Sequence, residues 1–126
     1  MTELTAKNLI DGSEIRRIWH EGQWYYGAID IVVELLEVDL KTSRNYYHVL
    51  KRRLKREGVE IDHQHMKLTA NDGKKYLTEV VTTRQALRLV LSISSPKAEV
   101  IKEWLSIVGE KYLEEPKNEL NLFGSI

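Results

Sequence analysis

The sequence contains no cysteine, and this absence excludes several kinds of site at once. Without thiols the chain has no disulfide framework, no zinc-thiolate site and no cysteine nucleophile. It also has no run approaching the roughly 18 consecutive apolar residues that a membrane span requires. Its first residues lack the basic and then apolar layout of a signal peptide. We therefore expect a cytoplasmic protein that makes no membrane contact.

Net charge is also absent, because 19 basic residues balance 19 acidic residues. A neutral total argues against a nucleic-acid partner held by overall positive charge. The charges are unevenly distributed, however. Residues 41–57 include seven basic residues and one acidic residue, whereas residues 1–40 include three basic and eight acidic residues. The segment 41–57 is therefore a concentrated cationic block, and its meaning depends on whether its charges share one side of a folded element.

A length of 126 residues fits one domain with a core of its own. No internal repeat, low-complexity tract or linker divides the chain. We expect an N-terminal extension at 1–12, one domain at 13–115 and a C-terminal tail at 116–126.

Two segments predict β-hairpins. Residues 13–19 and 24–26 contain β-branched and aromatic side chains and flank a glycine turn at residues 20–23. Residues 66–70 and 75–80 flank a turn with the sequence Asn-Asp-Gly-Lys. Between the second helix and the second hairpin, 58–65 is expected to be a polar loop. Helical spacing of apolar residues predicts helices over about 28–37 and 43–57, and two more after the second hairpin. The fold class is therefore α+β, with two small hairpins or an antiparallel sheet packed against about four helices.

Capping residues predict the helix ends. Asp39, Thr42 or Ser43 can begin the second helix, and Gly58 is the residue type preferred just beyond its end. Thr82 with Gln85 forms a capping-box pattern for a third helix ending near residue 93. Ser95 and Pro96 suit the start of a fourth helix, which Pro116 closes. One face of the fourth helix carries Ile101, Trp104, Leu105, Val108 and Tyr112.

The cationic block forms an amphipathic helix. Each residue advances about 100° around a helix axis, so Tyr46, Tyr47, Leu50 and Leu54 lie at about 200° to 300° from Arg44. The opposite side, from about 340° through 120°, is almost purely cationic. The candidate DNA contacts on that side are Arg44, Asn45, Lys51, Arg52, Lys55 and Arg56.

A charged helix is in general a solvated surface helix, but two features favour a ligand here. Solvated helices usually place acids and bases four residues apart, and this helix has no acid before Glu57. Asn45 adds an amide that can bond a base edge, while arginine can reach guanine and lysines can hold phosphates. Lys41 and Arg53 would add electrostatic attraction. Basic helices also contact acidic proteins or membrane surfaces, so the pattern alone leaves these partners open.

The histidines and carboxylates predict no metal site and no enzyme. Asp62, His63 and His65 cluster in a polar loop, but a metal there would need a ligand from elsewhere, and such histidines are usually solvated. No glycine-rich phosphate loop, nucleophile elbow or convincing carboxylate pair is present. We therefore expect no catalysis and no cofactor.

The aromatic residues of the first hairpin could stack on exposed bases. Trp19, Trp24, Tyr25 and Tyr26 are the residues concerned. Alternation along a strand sends Trp24 and Tyr26 to one face and Tyr25 to the other, so a place in the core is the favoured interpretation.

Several separated blocks occur in one order along the chain: residues 15–26, 30–31, 50–58, 72–76, 92–99 (Ser-Ile-Ser-Ser-Pro-Lys-Ala-Glu), 104–105 and 108–109. In this order they resemble the Bro-N domain, the N-terminal domain of baculovirus-repeated-ORF proteins and of bacterial prophage antirepressors. The resemblance covers about residues 15–115. It implies an α+β domain associated with DNA binding and, in prophages, with control of the lytic switch by opposing a repressor. Many relatives carry a further C-terminal segment, whereas this sequence stops soon after Pro116.

The leading hypothesis is a phage- or prophage-type regulatory domain that binds duplex DNA through the basic helix and is therefore associated with the nucleoid. An alternative is a protein-interaction module that opposes a repressor protein by direct contact, which Val49 in the basic arc and the apolar Leu120, Leu122 and Phe123 of the tail favour. A third is a domain that makes a longer protein a homodimer.

Overall fold

The computed structural model describes residues 14–62 and 64–116. The predicted extension 1–12, His63 and the part of the predicted tail after Pro116 lie outside the described residues. Within these ranges the elements are β1 (Arg17–His20), β2 (Gln23–Gly27), α1 (Ala28–Leu36), α2 (Leu40–Arg56), β3 (Gln64–Thr69), β4 (Lys75–Thr82), α3 (Thr83–Ser92) and α4 (Pro96–Glu114). Every predicted helix and both predicted hairpins are confirmed.

The two hairpins join into one antiparallel sheet of four strands in the order β1-β2-β4-β3. The joining pair is β2 and β4, where Tyr26 lies opposite Val81. Within the second hairpin, His65 lies opposite Glu79 and Lys67 lies opposite Leu77. The described residues therefore form an α+β domain with one curled sheet and four helices.

The two faces of the sheet belong to different apolar clusters. Tyr26 and Val81 pack with the buried residues of the helices in the main core. Tyr25, Leu68 and Val80 form a smaller cluster, because their side chains alternate to the other face. The aromatic pair Tyr25 and Tyr26 is therefore core, as strand alternation predicts.

The helix caps also follow the sequence. The Asp39 carboxylate accepts a hydrogen bond from the backbone N–H of Thr42, and Thr82 and Gln85 form a complete capping box. The Ser95 hydroxyl accepts from the N–H of Ala98, and Pro96 occupies the first turn of α4. These bonds satisfy N–H groups that the first turn of a helix leaves without a partner.

Two sequence expectations need correction. The segment 58–65 is not simply a polar loop, because Ile61 is buried in the main core and β3 already begins at Gln64. The apolar face of the fourth helix is buried only along its first half. Ile101 is buried and Trp104 is partly buried, whereas Val108 and Tyr112 are 42% and 46% exposed. Helical periodicity predicts which residues share a face of a helix, but it does not predict how far along the helix other elements bury that face.

Candidate nucleic-acid interface

Helix α2 has well-defined ends. Asp39 caps its start with a bond of 2.7 Å from the N–H of Thr42, and this hydrogen bonding lowers the pKa of the Asp39 carboxyl. The helix ends before Gly58, whose φ of 88° lies in the left-handed region that glycine adopts without strain. Arg53, Lys55 and Arg56 lie in its last turn, where cations interact favourably with the helix dipole. The basic residues thus stabilise the helix that displays them.

One side of α2 is anchored in the core. Ser43, Tyr47, Leu50 and Leu54 are buried, at the spacing that the wheel predicts. Tyr46 is partly buried at the margin of this side. The anchored side fixes which residues point outward, so the orientation of the cationic side does not depend on flexible loops.

The opposite side of α2 is exposed and cationic. Arg44, Asn45, Arg52, Lys55 and Arg56 are exposed, together with Lys41 and His48. No acidic residue belongs to the helix between Leu40 and Arg56. Val49, 55% exposed, is the apolar residue on this side. The structure therefore brings five of the six predicted contacts onto one solvent-facing surface, which we call the α2 surface.

Lys51, the sixth predicted contact, has a structural partner. Its ammonium lies 3.1 Å from Oε2 of Glu79 on β4, and 4.4 Å from the centre of the Tyr47 ring. The Tyr47 hydroxyl donates to the same carboxylate oxygen at 2.7 Å. Burial, and then the bond to Glu79, raise the pKa of Tyr47 above its usual value. Lys51 lies at the boundary between the α2 surface and the core, where it joins the helix to the sheet.

Arg53 lies on the other margin of the helix. Its side chain is exposed, yet the guanidinium donates to the carbonyl oxygen of Ser92 at 3.0 Å, at the end of α3. A cation at the C-terminal end of a helix satisfies carbonyl groups that have no partner within that helix. Arg53 therefore links α2 to α3 and contributes its charge from the edge of the α2 surface.

A cleft of about 340 Å³ opens beside the second half of α2. His48, Lys51, Arg52 and Lys55 line one side, and Glu60 with Ile61 lines the other. The cleft is concave and largely cationic, so it offers room and hydrogen-bond donors for a phosphate group. The sequence did not predict it, because it depends on the segment after Gly58 folding back against α2.

The other candidate sites find no further support in the described residues. In ranges 14–62 and 64–116, no group of three or more histidine, aspartate or glutamate side chains is placed to hold a metal ion. Trp19 is 57% exposed and packs edge-on against the partly buried Trp24 at 5.2 Å between ring centres, so the expected core position is wrong for Trp19. None of the helices in the described part of the chain is long and apolar enough to cross a membrane.

Comparison with known families gives one match that covers most of the chain. The model of the family described as BRO family, N-terminal domain (Bro-N), matches residues 14–114. These limits coincide closely with the described domain, from the residues before β1 to the last residue of α4. No curated protein and no solved structure is significantly similar to the chain.

Proposed function

Because this chain belongs to the BRO family N-terminal domains, which are phage-type regulatory and DNA-binding domains, we propose that it binds duplex DNA through the α2 surface. The contacts are made by Arg44, Asn45, Arg52, Lys55 and Arg56. Lys41 and Arg53 add electrostatic attraction from the margins, and Lys51 holds the helix in place at the boundary.

The proposal rests on one observation, which is that the exposed side of α2 carries only positive charges. Along the 17 residues of α2 the exposed charges are all positive, and the buried side is fixed in the core. An α-helix fits the major groove of B-DNA, which is about 12 Å wide. There, guanidinium and amide groups can bond base edges while ammonium groups hold phosphates.

The neutral total charge fits this assignment. Non-specific attraction to DNA rises with the number of phosphates that a protein neutralises. A protein of zero net charge with one cationic side attracts DNA at that side and repels it elsewhere. We place this activity in the control of phage gene expression at the nucleoid.

The test is the salt dependence of binding to mixed-sequence duplex DNA, measured by fluorescence anisotropy. Each phosphate contact steepens the slope of log affinity against log salt by about 0.9. Lys55 holds a phosphate and Arg52 holds a phosphate or a base edge, so the variant Arg52→Gln with Lys55→Gln should flatten the slope by about 0.9 to 1.8. The matched control is Arg84→Gln with Lys111→Gln, which removes the same charge from exposed positions on α3 and α4. Equal slopes for the two double variants would contradict the proposal.

A second candidate function is protein contact through the second half of α4. Ile107, Val108 and Leu113 are 40–42% exposed there, and exposed apolar patches often mark protein interfaces. A second copy of the chain is the first partner to test, by sedimentation at low and high salt. An apolar interface persists at high salt, and Val108→Glu should abolish it. A monomer under both conditions would argue against self-association.

A further inference from the structure

The β3–β4 hairpin carries a second exposed cationic surface. Its outer half is solvent-exposed on both strands, including Lys67 on β3 and Lys75 on β4. Between them lies Leu77, which is 66% exposed. This surface lies outside the basic block at residues 41–57, and its side chains are not part of the core.

Strand pairing places these residues on the same face of the sheet as Glu79. His65 lies opposite Glu79, Lys67 opposite Leu77, and Thr69 opposite Lys75. Paired residues share a face, and so do residues two apart on one strand. The side chains of Lys67, Leu77 and Lys75 therefore project from the face that carries Glu79. That face is the one against which α2 packs, because Glu79 bonds both Tyr47 and Lys51.

The contact with Lys51 also determines which edge of α2 borders the hairpin. Residues four or seven apart lie near one another on a helix surface, so Arg44 and Lys55 share the edge that Lys51 occupies. Arg44 and Lys55 belong to the exposed cationic side. The hairpin therefore adjoins this edge of α2 at Glu79, and residues 69–71 at its turn line a cleft together with Asp39 and Leu40 at the start of α2. Its lysines project from the sheet face that carries this contact.

The hairpin is held in a defined position. The Arg16 guanidinium donates to the carbonyl oxygen of Thr69 at 3.3 Å and bonds Asp30 of α1 at 2.7 Å. At the turn, the Asp72 carboxylate accepts from the N–H of Lys74 and from the Tyr76 hydroxyl. These bonds, that from Tyr76 first, lower the pKa of the Asp72 carboxyl, which therefore stays ionised. Glu79, the acid of β4, is paired with Lys51, whereas the Asp72 carboxylate keeps its charge at the turn. Carboxylates of other elements, among them Asp30, Glu34 and Asp39, line the cleft that residues 69–71 border, so the attraction for phosphate is assigned to Lys67 and Lys75 themselves.

We propose that the β3–β4 hairpin is a second DNA-binding element, in which Lys67 and Lys75 hold backbone phosphates beside the groove that α2 occupies. The two lysines are diagonal neighbours on adjacent strands, about 7–8 Å apart at the backbone, so each can reach a separate phosphate. This inference rests on the proposed function, because it assumes that α2 faces DNA. It extends that function by giving the domain two elements on one duplex, which restrains its orientation.

The experiment compares double variants by the salt slope of binding to mixed-sequence duplex DNA. Lys67→Gln with Lys75→Gln should flatten the slope by about 1.8, whereas Lys67→Arg with Lys75→Arg keeps the charge and should keep the slope. Arg84→Gln with Lys111→Gln is again the matched control. All four residues are exposed, so thermal unfolding should be unchanged.

The outcomes separate the two proposals. If Arg52→Gln with Lys55→Gln flattens the slope but the hairpin variant behaves like the control, the hairpin inference is overturned and the role of α2 stands. If the hairpin variant flattens the slope and the α2 variant does not, DNA binding belongs to the hairpin and the proposed role of α2 is overturned. Absence of salt-dependent binding by the unmodified protein overturns both.

Discussion

Lys51 of α2 and Glu79 of β4 form an ion pair of 3.1 Å across the boundary between the helix and the sheet. Both side chains are largely buried, at 14% and 16% exposure. The pair lies between the two surfaces to which we assign DNA binding, so it sets their relative position. Its energetic contribution can be measured without DNA.

The losses of stability from removing each partner of this pair separately should add up to more than the loss from removing both together. Lys51→Met and Glu79→Gln should each lower the free energy of unfolding by about 2 kcal/mol, because each leaves a largely buried group without its partner. The glutamine oxygen can still accept from Tyr47. The double variant should lose less than the sum, with a coupling of about 1 kcal/mol in urea unfolding. Additive losses would show that the pair contributes nothing.

Tyr47 should make the domain less stable in alkali. Burial raises the pKa of its hydroxyl in the folded state above the ordinary value of 10.0. Above pH 10 the unfolded chain releases this proton and the folded chain retains it, so stability is complete below pH 10 and falls as the pH rises. The fall from this one group is at most about 1.4 kcal/mol per pH unit.

The measurement is urea unfolding at several pH values from neutral to strongly alkaline, for the unmodified protein and for Tyr47→Phe. Lysine titration affects both proteins equally, so the difference between them isolates Tyr47. The phenylalanine variant should start less stable, because it loses the 2.7 Å bond to Glu79, and should show the shallower alkaline decline. Parallel curves would argue against this role of the hydroxyl.

Asp30 of α1 should be a stabilising residue of the domain, because it bonds Arg16 at the start of the sheet. Its carboxylate accepts three hydrogen bonds from Arg16, from the backbone N–H, Nε and one terminal nitrogen, at 2.7–3.0 Å. Asp30→Asn should lower the free energy of unfolding by about 2 kcal/mol. Glu34→Gln is the control, because the ion pair between Glu34 and the partly exposed Lys97 should contribute only about 0.5 kcal/mol. A smaller loss for Asp30→Asn than for the control would contradict this assignment.

Gly109 should be replaceable by alanine with a gain in stability. It lies inside α4, and a Cβ built on it meets no atom within 4 Å. Alanine stabilises a helix interior by about 0.5–1 kcal/mol relative to glycine. Thermal unfolding of Gly109→Ala should show this increase. If the stability gain is accompanied by loss of self-association, the glycine serves a contact between copies, which is the second candidate function.

Much of the fold could be predicted because helix caps and helical periodicity depend on residues that are close together in the sequence. Asp39 caps α2, and Thr82 with Gln85 caps α3, through bonds between residues three apart. The wheel of α2 correctly separated the buried Leu50 and Leu54 from the exposed cations. Local hydrogen bonds and helical periodicity are readable along the chain, since they connect near neighbours.

The sequence alone therefore determined the order of the elements, the cationic side of α2 and the resemblance to Bro-N domains. Only the tertiary structure decided that Ile61 is buried, that Lys51 is paired with Glu79, and that Lys67 and Lys75 share the sheet face of Glu79. Each of these depends on which strands pair and which helix covers which face. Such contacts join residues distant along the chain, and no local pattern encodes the partner.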